Sequence, residues 1–487
     1  MTTTIAINVV FWFLVAGRVA LAAGYSPLDR FLALVDFRRL LCGKFFLHIC
    51  DVKPVVAIGL PPCNTLMHLW VGAGSCKSLY LVSELRSNNT VVERGFANQE
   101  FGRYLSNQTK TVIQLAFRIP TTMPLVAVIP TPNTPAELRE VPLPELEMNS
   151  ALLDVELSEV CGTDVYLQQG RLKGVPYPLI PGHVSVGRLS RIRGQLLDIE
   201  GRAFREGDRV TFLDVHLTCN ACWYCLVAKA STRCPQRKVY GITYGLADGL
   251  CGGWAEQIYI KPGTHCIRLD AEPETFMAGG CAMPTALHSV ERGEVDLGDT
   301  VLVLGSGPVG INAIILALMK GALRVLCIGA PAHRLDAGRE AGASAVANIE
   351  HLTEQQRLEW VLQQTSGRGA DVTIEATGAS EAVVQAMRFT RDAGKVVIVG
   401  QYTDHGPMPS EAAFNPHLDL NKKHLDVRGC WGSDFSHFYR SVQIISDPAR
   451  AASWANMKLA RYNLAQANEA LADVSAGRVL KALIDPR

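Results

Sequence analysis

The stretch Thr300-Val-Leu-Val-Leu-Gly-Ser-Gly-Pro-Val-Gly310 carries a pattern that decides a fold. Thr300 to Leu304 is a short apolar run of the kind that forms a buried strand, and the INAIILALMKGA that follows Gly310 reads as a helix. Between them lies a G-x-G-x-x-G turn. Its glycines permit a tight turn and the close approach of a pyrophosphate, while the helix N-terminus offers unpaired N–H donors and partial positive charge. Gly305, Ser306, Gly307, Pro308, Val309 and Gly310 are therefore the candidate dinucleotide-binding residues.

Downstream, strands are predicted at Arg324 to Ile328, Asp371 to Glu375 and Lys395 to Val399, with helix-like segments between them. Strands alternating with helices imply a parallel sheet covered on both faces. An acidic residue usually ends the second strand of such a unit, where it holds the ribose hydroxyls. Here Gly329 stands near that place, with His333 and Arg334 a few residues on. No carboxylate repels a 2′-phosphate, so the cofactor is NAD or NADP. Arg334 is either a phosphate contact or a solvated residue at a helix start.

Upstream, CNACWYCLVAKASTRC places Cys219, Cys222, Cys225 and Cys234 in one loop-like segment, with gaps of two, two and eight residues. Four thiolates at that spacing can close a tetrahedron on one zinc ion, which predicts a metal-clamped lobe rather than a set of free thiols. A second constellation is spread more widely. Cys161-Gly-Thr-Asp164 follows a predicted strand, Pro181-Gly-His183 comes 22 positions after Cys161, and Gly280-Cys281 lies just before the dinucleotide turn. One histidine and two thiolates can hold zinc with a fourth position open. Each of the three residues alone would be read as a buried structural group.

The chain has 487 residues, 48% of them hydrophobic and 19% charged, which suits two or three domains with substantial buried cores. Lys plus Arg number 47 against 46 Asp plus Glu, so no basic excess points to nucleic acid and small neutral ligands are expected. Fourteen cysteines are too few for a disulfide scaffold, and their clustering into metal-like sets implies a reducing compartment. The expected location is the cytoplasm, with no membrane partner. The apolar start IAINVVFWFLVAG, the small residues Ala20 to Ala22, the sequons at Asn88 and Asn107, and Cys42, Cys50, Cys63 and Cys76 together leave an export reading open. Residues 1–122 otherwise read as a targeting or accessory extension, or as an erroneous upstream gene model, with the β-rich chain beginning at Met123.

Taken together, these motifs resemble the medium-chain dehydrogenase/reductase family, in its zinc-containing alcohol dehydrogenase branch. The resemblance runs from Met123 to the C-terminus and includes Gly207-Asp-Arg-Val210, the cysteine lobe, Gly280-Cys281 and the GSGPVG turn. Gly400 to Asp404 with Asn415-Pro-His417 looks like the subgroup containing hydroxycamphor-type secondary alcohol dehydrogenases. The resemblance implies an α/β protein: a GroES-like β-rich catalytic domain over 123–282, a Rossmann doubly wound parallel sheet over 283–428, and a return of 429–487 into the first domain. It implies Cys161, His183 and Cys281 as ligands of a catalytic zinc, and Cys219, Cys222, Cys225 and Cys234 as ligands of a structural zinc. Thr163 corresponds to the hydroxyl that takes the substrate proton, and Asp164 to a carboxylate that orients a histidine ligand. A homodimer or homotetramer and an alcohol or ketone substrate complete the expectation.

Three departures from the family pattern stand out. Val184 replaces the glutamate that commonly follows the histidine ligand, Tyr166 stands where many members carry a relay histidine, and the gap before Cys234 is eight residues where seven is usual. The first of these, with the unusual N-terminal extension, keeps open a second reading, a nucleotide-binding regulatory or structural zinc protein without turnover.

Overall fold

The computed structural model describes residues 123–401, 403–404 and 413–487, together with five strands of the first 122 residues. The chain forms two compact units, 1–122 and 123–487. In the first, the strands form one sheet in the order Val56–Leu60, Thr65–Leu69, Lys44–His48, Tyr80–Ser87, Thr90–Val92. The apolar start, Asn88, Asn107 and the four early cysteines lie outside the described residues.

The second unit holds two principal sheets. One is a parallel sheet in the order Ala345–Asn348, Arg324–Gly329, Thr300–Leu304, Ala370–Glu375, Thr390–Ile398, Asp426–Gly429. This is the doubly wound order 3-2-1-4-5-6, with its switch point beside the strand that carries the glycine turn. Side chains alternate across the sheet. Val301 and Val303 pack with Ile311 and Ile314 on one face, while Leu302 and Leu304 pack with Val361, Ala386 and Phe389 on the other.

The other sheet is mostly antiparallel, in the order Cys266–Arg268, Arg209–Phe212, Ser185–Arg193, Ser150–Val160, Lys481–Ile484, Leu459–Tyr462, with Gln257–Ile260 also paired to Ser150–Val160. Its last two strands come from the C-terminus, so the chain leaves the parallel sheet and returns to the β-rich body. The helix Ala467–Ser475 buries Ala467, Ala470 and Leu471 in that body's core. No helix among the described residues is long and apolar enough to cross a membrane.

Candidate metal and cofactor sites

Cys161 ends the strand Ser150–Val160 and caps the helix Gly162–Gln168: its Sγ accepts the Thr163 N–H at 3.4 Å, and Asp164 Oδ2 accepts the Cys161 N–H at 2.9 Å. The second Asp164 oxygen accepts the Gly182 N–H at 3.2 Å, just before His183, and lies 4.0 Å from His183 Nδ1. Asp164 therefore ties the backbones of the Cys161 and His183 segments together, besides facing the imidazole. Thr163 is half-buried one residue from that aspartate.

The fold brings Cys161, His183 and Cys281 together, their donor atoms all within 4.8 Å of one another. Cys161 Sγ and His183 Nε2 are 3.7 Å apart. Ligands on a tetrahedral zinc, with Zn–S of about 2.3 Å and Zn–N of about 2.0 Å, stand roughly 3.5 Å apart, so the donor set fits that ion. The hydrogen bond from the Cys281 thiol holds Cys161 well below the usual thiol range against burial, with the charge of His183 adding to it. Burial disfavours a charged His183, yet the Cys161 thiolate beside it raises the imidazole to about 10. The hydrogen bond to Cys161 and burial push Cys281 well above its ordinary value. A metal entering this set displaces those protons. Burial, with the charge of Cys161, raises Asp164 to about 7.

Cys219, Cys222, Cys225 and Cys234 form the second set, again with sulfurs all within 4.8 Å. Cys222 and Cys225 are 3.6 Å apart, and Cys234 and Cys219 3.5 Å. Sulfurs on one tetrahedral zinc stand about 3.8 Å apart, so the lobe also fits. The eight residues between Cys225 and Cys234 run from the end of the short helix Trp223–Leu226 through the turn Ser231–Arg233, which leads back to Cys234. N–H groups of Cys222 and Cys219 point at the sulfurs of Cys219 and Cys234, both at 3.3 Å. A hydrogen bond from the Ala221 backbone leads the causes that lower Cys219 to about 6.

At the glycine turn, Gly307 caps the helix Pro308–Lys320, and the space beside its Cα is open, where a pyrophosphate would approach. Gly329 does end the second strand, and a Cβ there would stand 2.8 Å from the Ser306 nitrogen. Arg334 proves partly buried, with Nη2 donating to the Val479 carbonyl at 3.0 Å, so it is not a solvated helix-start residue. Tyr166 approaches the loop after Ala370–Glu375, since a Cβ on Gly378 would lie 3.9 Å from its phenol oxygen. Glu375 organises that loop, Oε1 accepting both the Thr377 N–H and hydroxyl at 2.7 Å.

Sequence reasoning missed Glu159 and Lys481, which form a buried ion pair against Cys281. No local signal singled them out: Glu159 is one of three carboxylates in SALLDVELSEV, and Lys481 opens the strand KALI.

Family models match both halves of this architecture: an alcohol dehydrogenase GroES-like domain over residues 147–271 and a zinc-binding dehydrogenase domain over 308–447. The chain belongs to the medium-chain dehydrogenase/reductase family, in its zinc-containing alcohol dehydrogenase branch. It is 31% identical over 353 residues to the 5-exo-hydroxycamphor dehydrogenase of Pseudomonas putida, covering 72% of this chain and 95% of that protein. It is 29% identical over 315 residues to an L-threonine 3-dehydrogenase of Anaeromyxobacter, covering 63% of this chain and 83% of that one. An alcohol dehydrogenase structure from Thermotoga maritima superposes with a TM-score of 0.70 at 30% identity, covering 75% of this chain and 99% of that one. The protein is a zinc-dependent oxidoreductase that transfers hydride between an alcohol and NAD(P).

Proposed function

We propose that the substrate is a secondary alcohol, converted to a ketone at Cys161, His183 and Cys281. The supporting observation is the convergence of these three donors from three separate segments, with Thr163 two residues from the first. Held by Cys161, His183 and Cys281, a zinc ion would supply Lewis acidity toward an alcohol oxygen, and a nicotinamide seated at the glycine turn would supply the hydride acceptor. Thr163 holds and passes the hydroxyl proton, and Asp164 fixes the two ligand backbones so that the hydroxyl keeps its place. The phenol of Tyr166, beside the Gly378 loop, extends the proton's route outward. Gly305 to Gly310 seat the pyrophosphate. Arg334, already bonded to Val479, is the candidate for a 2′-phosphate through its other N–H groups.

In this reading the catalytic domain spans 123–282, the cofactor domain 283–428 and the return 429–487. The cysteine lobe holds a structural zinc. The assembly is a homodimer or homotetramer, and the compartment is the cytoplasm, where thiols stay reduced.

The deciding experiment measures zinc content and NAD(P)-coupled oxidation of a panel of alcohols for the full chain and its Cys161→Ala variant. Loss of one zinc and of ketone formation in the variant supports the reading. An unchanged zinc count removes Cys161 as a ligand, and cofactor binding without turnover by the parent chain returns the protein to a regulatory or structural role.

A further inference from the structure

Glu159 and Lys481 pair at 2.7 Å with side chains 2% and 0% exposed, and the alcohol chemistry above uses neither. Desolvating two such charges costs several kcal/mol per ion, so a buried pair persists where further hydrogen bonds offset the cost. Here those bonds converge on one short loop. Glu159 Oε2 accepts the Cys281 N–H at 2.7 Å, Oε1 lies 3.4 Å from Cys281 Sγ, and Lys481 Nζ donates to the Gly279 carbonyl at 3.2 Å.

The loop has no slack. Gly280, between the two contacts, holds φ +51°, and a Cβ there would collide with both Glu159 Oε2 and Lys481 Nζ. The three parts come from distant places: the carboxylate from Ser150–Val160, the ammonium from the paired strand Lys481–Ile484, and the loop from the junction of the helices Pro273–Gly279 and Ala282–Arg292. The backbone N–H of Glu159 also donates to the Val184 carbonyl at 3.0 Å. A carboxylate is thus present at the site although position 184 has none, delivered from the neighbouring strand and directed at Cys281.

We propose that Glu159, held by Lys481, is the positioning residue for Cys281 and governs how firmly this third ligand keeps the metal. The inference rests on reading Cys281 as a ligand. Cys161 and His183 are joined to each other through Asp164, whereas Cys281 comes from the junction of the helices Pro273–Gly279 and Ala282–Arg292, where Glu159 of the ion pair meets its N–H and its thiol. Lys481, 2.7 Å from Glu159 Oε1, fixes the carboxylate that accepts from both the N–H and the thiol of Cys281.

The test compares two neutral double variants with the full-length parent. Glu159→Gln with Lys481→Met keeps an acceptor for the Cys281 N–H, while Glu159→Leu with Lys481→Met removes it. Zinc release to an excess of a coloured chelator is followed in each, and cobalt loaded at the Cys161 site reports thiolate ligation through its charge-transfer band. Loss of an outer-shell partner typically costs ~10–100-fold in metal affinity, and release from this site in the Leu variant is expected to accelerate by that order, with a weakened cobalt band. The Gln variant recovers most of the loss, and the cysteine lobe releases at the parent rate throughout. Parent-like release and band in the Leu variant overturn the proposal, as does equal acceleration at both metal sites. If neither double variant folds, Glu159→Asp decides: it keeps the charge and shortens the reach, so faster release supports positioning and an unchanged rate overturns it. A parent chain with zinc only in the lobe refutes the ligand assignment itself, whereas two zincs with indifferent variants refute only the role of Glu159.

Discussion

Gly310 packs its Cα against the carbonyl oxygen of Gly305 so closely that a Cβ at 310 would collide with it. The contact brings the start of the helix Pro308–Lys320 onto the end of the strand Thr300–Leu304, and this closeness leaves Gly307 facing open space. Gly310→Ala is therefore expected to destabilise the cofactor domain by about 1–3 kcal/mol, as overpacked sites do, and to weaken cofactor binding. Thermal unfolding and titration of NADH or NADPH fluorescence check both effects. Parent-like affinity would show that the turn can shift without disturbing the cofactor.

Cofactor choice turns on Gly329 and Ser306. With no carboxylate at the end of Arg324–Gly329, the chain is expected to bind NADPH at least as well as NADH. Gly329→Asp alone should weaken both, because its Cβ would press on the Ser306 backbone nitrogen, 2.8 Å away, and on the Ser306 side chain. Adding Ser306→Gly relieves the side-chain part of that clash and should shift preference toward NADH. Dissociation constants for both cofactors in the three proteins measure this, and a switch to NADH by Gly329→Asp alone would contradict it.

The two metal sets should separate on mutation. Cys234→Ser is expected to lower zinc from about two ions per chain to about one and to reduce the unfolding temperature, with the Cys161 site still loaded. Metal analysis beside calorimetry reads both. Loss of both ions together would mean that the lobe and the catalytic set form one cooperative unit.

Thr163→Ala should lower turnover by ~10²–10⁴-fold, the usual contribution of a positioned proton-transfer group, with Thr163→Ser recovering most of it. Zinc content should stay at the parent level in both. Steady-state rates with any accepted alcohol suffice, and full activity in the Ala variant would remove Thr163 from the proton path.

Acid stability should carry a component from Asp434. Its hydrogen bond with His437 holds the carboxyl near 2 in the folded chain, below its ordinary value. A depressed folded pKa contributes stability above the unfolded value, near 4, and that stability is lost as pH falls from there through 2. Asp434 is about half-exposed, so after solvent screening the contribution is at most ~1 kcal/mol. The unfolding free energy of Asp434→Asn should fall below the parent's at neutral pH and converge with it only below about pH 2. A constant gap between the two curves would assign the loss to the helix cap instead.

Sequence by itself determined whatever is local in the chain. The continuous apolar run Thr300–Leu304 set a strand buried on two faces, the six-residue glycine turn set its junction with a helix, and two Cys-x-x gaps in one loop marked a candidate metal lobe. Order along the chain then marked Cys161, His183 and Cys281 as one candidate donor set, and the fold brings the three together. What tertiary structure alone decided depends on contacts between segments far apart in sequence. Neither Glu159 nor Lys481 has a local pattern that marks it, because their meaning arises only when two strands 322 positions apart pair and a glycine loop closes over them. The sequence left Arg334 between a phosphate contact and a solvated residue for the same reason, since its partner Val479 reaches it only after the chain has returned to the first domain. Periodicity and spacing encode which groups can form a site; the burial and cross-strand partners that hold those groups in place exist only in the folded chain.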